Sequence, residues 1–308
     1  MLILKNIEQN ENLIIYTVNE NSDGKEIKQV LKSELNISSR LLTKLKKQEA
    51  VLLNGKYAKN HTIVKSGDVI QIIMVEPENQ FEPQDIPLNI VYEDIDVIII
   101  NKQPGIVVHP TKSHPTNTIA NALAYYLKEK EINCRIRFVN RLDMDTSGLL
   151  IIAKNAFTHH VISEQMQQDL VQKKYLTFVE GSLDYDEGTI DKPIYRPSDD
   201  AVKRVVDDRG QRSVTKYKVV ERFKDASLLE IELLTGRTHQ IRVHLEHLGH
   251  PLIGDKLYGN SGNEHLIDRQ ALHACYLKFY QPRFKNIVEI SASLPEDMEK
   301  LRKTLKNI

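Results

Sequence analysis

The chain is poor in cysteine: two among 308 residues, Cys134 and Cys275, far apart and in no CxxC pair. That argues against a disulfide framework and a zinc cluster, and it suits a reducing cytoplasm. Long apolar runs are lacking too. No window approaches the ~18 consecutive apolar residues of a membrane helix, so no span is expected. The opening "MLILKNIEQNENLIIYTVNE" has no basic flank, long apolar core or small-residue cleavage site, so no leader is expected. Net charge is absent as well, with 42 Lys and Arg against 42 Asp and Glu. A hydrophobic content of 41% with 27% charged residues is ordinary for a soluble globular protein. The length allows one large domain, or a large one with a small one.

Charge is allocated by segment. Between Asp23 and Asp68, ten basic residues face five acidic ones; from Glu76 to Asp96, seven acidic residues occur with no Lys or Arg. "EPENQFEPQDIP", 76–87, reads as a linker. The expected division is therefore 1–85 and 86–308. In the first part, "IKQVLKSELNISSRLLTKLKKQE" reads as two helices broken near Asn36–Ser38. In the second helix Leu41, Leu42 and Leu45 share one face, and Arg40, Lys44 and Lys47 the other. "VLLNGK" supplies a tight Asn54-Gly55 turn and "GDVIQI" a strand. A basic stripe alone is most often a solvated face. The whole order resembles the S4 RNA-binding domain, which implies a small α/β module whose Arg40, Lys44 and Lys47 meet RNA phosphate.

In the second part strands outnumber helices and do not alternate with them. "LNIVYED", "DVIIINK", "LLIIAK", "KKYLTFVEG", "SVTKYKVVERF" and "SLLEIELLTG" read as strands. "TNTIANALAYYLKEK", capped by Thr116, Asn117 or Thr118, and "NAFTHHVISEQMQQDL", capped by Asn155, read as helices. So does "THQIRVHLEHLG", with Thr238 as the expected cap and Gly249 as its stop. The expected class is α+β, with a mainly antiparallel or mixed sheet flanked by helices.

The stretch "VNRLDMDTSGLL", 139–150, sets Asp143 and Asp145 two residues apart, just before a buried strand. One reading is the DxDx[TV] loop of aspartate-nucleophile phosphatases. Ser147 ends the motif wrongly, however, and no apolar strand precedes it. The histidines of "THQIRVHLEHLGH" invite a zinc reading, since His244 and His247 can share a helical face, but HExxH is absent. "TGRTHQ" lacks the GxxxxGK[ST] spacing of a phosphate loop. No metal is expected.

Four stretches in order, "NRLDMDTSGLLIIAK", "KKYLTFVEG", "TGRTHQIRVHLEHLGHPLIGDKLYG" and "RQALHACYLKF", resemble the RluA-type pseudouridine synthases. With the S4-like module, the resemblance implies isomerisation of uridine in structured RNA, most readily large-subunit (23S) ribosomal RNA. It implies Asp143 as the catalytic aspartate and Arg141 as the residue filling the gap left by the displaced base. Tyr175 is then the ring packed on the uracil, and Arg242 the basic partner of Asp143. Asn140, Thr146, Arg237 and His239 join them as substrate contacts. Asn140 departs from the family's usual histidine and cannot carry a proton. That departure motivates the competing reading, an RNA-binding ribosome-assembly factor without catalysis.

The isomerisation imports no group and changes no oxidation state, so no cofactor is expected. It needs a carboxylate kept ionised beside the sugar in a pocket that excludes water, and a neighbouring guanidinium favours that state. The plainer reading pairs Arg242 with Glu246 on the helix surface. Asp145, Thr146 and Ser147 are expected to hold the loop by Asx-turn and hydroxyl bonds to backbone. Lys173, Lys174, Lys203, Arg204, Arg209, Arg212 and Arg237 are candidates for gripping phosphate, and a monomer is the working expectation.

Overall fold

The computed structural model describes residues 12–77, 79–260 and 266–307. Residues 1–11, on which much of the expectation about a leader rests, lie outside them. Among the described residues no helix is long and apolar enough to cross a membrane.

The first part runs β1 (Leu13–Thr17), α1 (Ile27–Ser33), α2 (Ser39–Lys47), β2 (Val51–Leu53), β3 (Lys56–Tyr57) and β4 (Val69–Ile73). Its strands pair antiparallel in the order β1-β4-β2-β3. Asn36, at φ 53, breaks the helical pair, and the Ser38 hydroxyl then accepts the Leu41 N–H at 3.1 Å to start α2. Leu41, Leu42 and Leu45 are buried against Ile14, Ile70 and Ile72 of the sheet. Asn54 and Gly55 both have positive φ, as a two-residue hairpin turn requires.

The second part runs β5 (Ile90–Glu93), β6 (Val97–Lys102), α3 (Ile119–Glu129), β7 (Arg137–Phe138), β8 (Ser147–Ala153), α4 (Ala156–Gln167), β9 (Gln172–Glu180) and β10 (Glu187–Asp191). It continues with β11 (Ile194–Tyr195), β12 (Val205–Val206), β13 (Val214–Arg222), β14 (Ala226–Leu233), α5 (Gln240–His247), β15 (Leu272–Tyr280), β16 (Ile287–Ser291) and α6 (Glu296–Lys306). The main sheet follows the order β10-β13-β14-β9-β15-β8-β6-β5, with β16 beside β15 and β7 beside β8. Its pairs are antiparallel except β15 with β8. The class is the expected α+β with a mixed sheet. β8 is buried at every position, which explains its unbroken apolar run. Its alternate residues serve two faces. Leu150 and Ile152 pack with Ile119, Leu123, Ile241 and Leu245 of α3 and α5; Leu149 and Ile151 pack with Ile162 of α4.

The two parts touch. Phe157, in the first turn of α4, is buried within the apolar cluster of the first part. Arg283 grips the buried Asp96 carboxylate through Nε at 3.0 Å and Nη2 at 2.6 Å, and its Nη1 donates to the Leu13 carbonyl at 2.6 Å.

Candidate active site

The site forms where the loop before β8, the middle of β9 and the turn from β14 into α5 converge. β8 can start there because Gly148 has φ +112, and a Cβ at that position would stand 2.2 Å from the Ala274 carbonyl oxygen. Only glycine allows so close an approach of β8 to β15.

The loop itself is pinned from outside. Lys102 is buried, and its Nζ donates to the carbonyls of Gln103 at 2.9 Å, Ile106 at 3.0 Å and Met144 at 2.8 Å, using all three hydrogens. Burial pulls this ammonium down to about 7, against the favourable charges of Asp145 and Asp143. Arg269 Nη1 donates to the Asp145 carbonyl at 3.0 Å while Asp297 of α6 holds the same guanidinium at 2.6 and 2.9 Å. The hydroxyls of Thr146 and Ser147 meet Gln270 at 3.3 Å and His273 Nδ1 at 3.0 Å. The loop therefore owes its shape to side chains from β6 and the approach to β15, and the expected hydroxyl bonds of Thr146 and Ser147 to loop backbone are replaced by these. Asn140 takes up a backbone-like role: its Oδ1 accepts the Ile151 N–H at 2.8 Å and its Nδ2 donates to the Leu149 carbonyl at 3.4 Å. This continues the pairing of β7 with β8, work that needs no proton transfer.

Asp143 is half-buried. Arg242 Nη1 donates to its Oδ2 at 3.3 Å, and His239 Nε2 lies 3.7 Å from the same oxygen. Arg242 is aimed by Asp255, a buried carboxylate that accepts from Nε at 2.6 Å and Nη2 at 2.7 Å. Asp255 Oδ1 also takes the N–H groups of Leu257 at 2.9 Å and Tyr258 at 3.0 Å. Burial works against both charges, yet their mutual bonds and attraction outweigh it: the Arg242 pKa is raised and that of Asp255 lowered. The plainer pairing of Arg242 with Glu246 does not occur; Glu246 meets Lys203 at 3.4 Å on the surface.

A cavity of about 370 Å³ opens over this carboxylate. Asn140, Arg141, Asp143, Thr146, Lys173, Tyr175, Arg237, His239 and Arg242 all line it, nine sequence candidates brought together. Its size lies within the ~300–1,000 Å³ range of small-ligand clefts. Tyr175 is buried; burial, and then the Asp143 charge, push its hydroxyl far above the ordinary tyrosine range, so the ring stays neutral. Arg141 is exposed at the mouth and also lines a second cavity, of about 510 Å³, that shares Asp143, His239 and Arg242.

Several expectations need correction. Thr238 does not cap α5: the cap is His239, in left-handed backbone at φ 58, with no side-chain cap bond. The preceding turn is organised by buried Gln240, whose Oε1 accepts the Arg237 N–H at 3.0 Å and whose Nε2 donates to the Val214 carbonyl at 3.0 Å. In the α2 stripe the Lys44 Nζ donates to the Val75 carbonyl at 2.9 Å, and Arg40 and Lys47 are exposed. Lys174 pairs with Glu230 at 2.9 Å, and Arg209 with Asp207 at 2.7 Å while lying over the Tyr195 ring. His244 is a buried core histidine, 2.8 Å from Thr215 Oγ1 and 3.0 Å from the Lys192 carbonyl. Among the described residues no group of three His, Cys, Asp or Glu is placed to hold a metal. Sequence reasoning gave no role to Lys102, Asp255, Tyr258, Arg269 or Gln270. Asp255 and Tyr258 stood in "HPLIGDKLYG", where an acidic residue beside glycine reads as a turn.

Residues 96–247 match the family described as RNA pseudouridylate synthase, and residues 14–70 match the RluD ribosomal pseudouridine synthase N-terminal domain. The uncharacterized RNA pseudouridine synthase YjbO of Bacillus subtilis is 40% identical over 275 residues, 88% of this chain and 96% of that protein. The ribosomal large subunit pseudouridine synthase D of Escherichia coli is 38% identical over 307 residues, covering 94% and 93%. Among solved structures, human RNA pseudouridylate synthase domain containing 1 superposes with a TM-score of 0.57 at 28% identity, over 74% of this chain and 98% of that one. With such identity sustained across nearly the whole of both sequences, this chain belongs to the RNA pseudouridine synthases, enzymes that act on RNA.

Proposed function

We propose that the protein isomerises specific uridines of structured RNA, namely 23S ribosomal RNA, with Asp143 as the reactive carboxylate. The observation that carries the reading is the Asp143 carboxylate at the cavity wall, 3.3 Å from an Arg242 that a buried Asp255 aims at it. In the reaction the C1′–N1 bond breaks and a C1′–C5 bond forms. C5 loses its hydrogen as a proton and N1 regains one, so the composition is unchanged. Whether the carboxylate attacks or stabilises positive charge on the sugar, it has to be ionised and next to C1′ or C6.

The uridine must first leave its stack, at a cost of a few kcal/mol. Arg141, exposed at the mouth, fills the vacated space. Tyr175 faces the extruded base, where an aromatic contact is worth roughly 1–3 kcal/mol. The ribosomal substrate is inferred from the names of relatives such as the large subunit synthase D, together with the N-terminal module. In this reading residues 1–85 form an RNA-binding domain, with Arg40 and Lys47 on phosphate, and residues 86–308 the catalytic one. The protein then works in the cytoplasm as a monomer, without metal or cofactor. The ladder bonds of Asn140 remove the motive for the non-catalytic assembly-factor reading.

The test is tritium release from 23S RNA carrying [5-³H]uridine, joined to pseudouridine maps of cells with and without the protein. Release, and a site lost on deletion, support the reading. No release together with unchanged maps overturns it.

A further inference from the structure

We propose that Tyr258, His239 and Asp143 form a directed hydrogen-bond relay, in which Tyr258 fixes the tautomer of His239 so that its Nε2–H faces the Asp143 carboxylate. His239 and Tyr258 are then positioning residues. The inference rests on Asp143 being the reactive group, and it deepens that reading by giving His239 a role other than RNA contact.

The direction of the relay follows from its far end. Tyr258 is buried, and its hydroxyl oxygen accepts the backbone N–H of Arg204 at 2.7 Å. With that side of the oxygen occupied, the hydroxyl hydrogen points elsewhere, and His239 Nδ1 lies 3.0 Å away. The two rings meet edge-on at 83°. Nδ1 accepts, so in the neutral ring the proton sits on Nε2, the nitrogen 3.7 Å from Asp143 Oδ2. The opposite tautomer would set a nitrogen lone pair against a carboxylate oxygen. A separation of 3.7 Å is long for a hydrogen bond, as catalytic contacts often are before substrate closes the site.

The backbone is shaped for this. His239 sits at φ 58 and ψ 20, whereas the residues capping α1, α2, α3, α4 and α6 are extended. Left-handed backbone is uncommon outside glycine, asparagine, aspartate and histidine, and here it carries the chain from β14 into α5 with the imidazole edge-on to Tyr258. The groups around the imidazole agree. Burial disfavours its charged form; Asp143 opposes that, Arg242 and Arg204 reinforce it, and Asp255 opposes it weakly. Lys203 lies over the Tyr258 ring at 5.1 Å and adds further positive charge.

The consequence concerns one oxygen. Arg242 Nη1 and His239 Nε2 both address Asp143 Oδ2. Oδ2 is held by Arg242 and faced by the His239 Nε2–H, and Oδ1 is left for the sugar.

The direct test is nitrogen NMR of the ¹⁵N-histidine-labelled full chain without RNA, with the His239 ring assigned by its loss in His239→Asn. The relay requires Nε2 protonated and Nδ1 bare; Nδ1 protonated and Nε2 bare overturns it. A kinetic arm follows tritium release. Tyr258→Phe keeps the ring but loses the hydroxyl, and kcat should fall about tenfold with KM within about twofold. His239→Gln, which retains a side-chain N–H, should keep at least tenfold more activity than His239→Leu. Equal activities of Gln and Leu would count against the relay. An active enzyme with the wrong tautomer removes the relay and leaves the proposed function standing; an inactive wild type with the right tautomer does the reverse.

Discussion

Replacing Asp255 by asparagine should damage both stability and catalysis, by amounts the structure allows us to bound. The carboxylate takes four N–H groups, two from the Arg242 guanidinium and two from the backbone of Leu257 and Tyr258. Asparagine keeps the volume but removes the charge, and it turns one acceptor into a donor. Arg242 is then a buried cation with Asp143, at 3.3 Å, as its remaining carboxylate. Breaking a buried pair from one side costs about 3–5 kcal/mol. At about 2–4 °C per kcal/mol for a large domain, Tm should fall by roughly 6–20 °C in a thermal melt. Tritium release should fall too, because the guanidinium is no longer aimed. The double variant Arg242→Met/Asp255→Asn sharpens the point, since it removes the stranded cation and retains an acceptor for Leu257 and Tyr258. It should melt higher than the sum of the single losses implies, with a coupling of about 2–3 kcal/mol, and stay inactive. An Asp255→Asn protein that melts with the wild type, or single losses that simply add, would show that the pair does not carry the load assigned to it.

Three further outcomes are expected. For Lys102, burial sets the folded value near 7, below the ~10.4 of an unfolded lysine. The unfolded chain therefore binds more protons between those values, and stability rises with pH across that window. Subtracting the denaturation profile of Lys102→Met should leave a slope of up to ~1.4 kcal/mol per pH unit from about pH 7 to 10; a flat difference would mean an unshifted ammonium. Gly148→Ala drives a Cβ to 2.2 Å from the Ala274 carbonyl and should cost about 3 kcal/mol or more in a urea titration, whereas an unchanged midpoint would refute the close β8–β15 approach. Removing residues 1–80 uncovers Phe157 and takes Leu13 from Arg283, yet the remaining sheet has its own core. The fragment should fold by circular dichroism but bind RNA more weakly, with a shallower salt dependence; an unchanged salt slope would remove the first part from the RNA interface.

What the sequence made legible was what period and order encode. The leucines of α2, the 3.6-residue face of α5 and the apolar run of β8 each report burial through spacing alone. The ordered motifs brought together Asp143, Tyr175 and Arg242, which the fold gathers at one cavity. What stayed hidden were partners supplied by chain closure. Asp255 lies 13 residues beyond Arg242, past the end of α5, and no local rule couples a helix arginine to a loop acid. Lys102 meets Met144 across 42 positions, and at the end of an apolar strand a lysine reads as a solvated terminus. The Thr238 cap failed because capping rules weigh residue type, whereas the turn before α5 is held by the Gln240 side chain through Arg237 and Val214. The bond of Lys44 to the Val75 carbonyl is of the same kind, since a helical face says nothing about a carbonyl packed beside it.

The reactivity of Asp143 is tested most directly by single-turnover tritium release from [5-³H]uridine RNA with Asp143→Asn, a substitution that preserves shape and removes the charge. Release should disappear while RNA affinity stays within about tenfold of wild type, a change of no more than ~1.4 kcal/mol. Release at the wild-type rate would contradict the assignment.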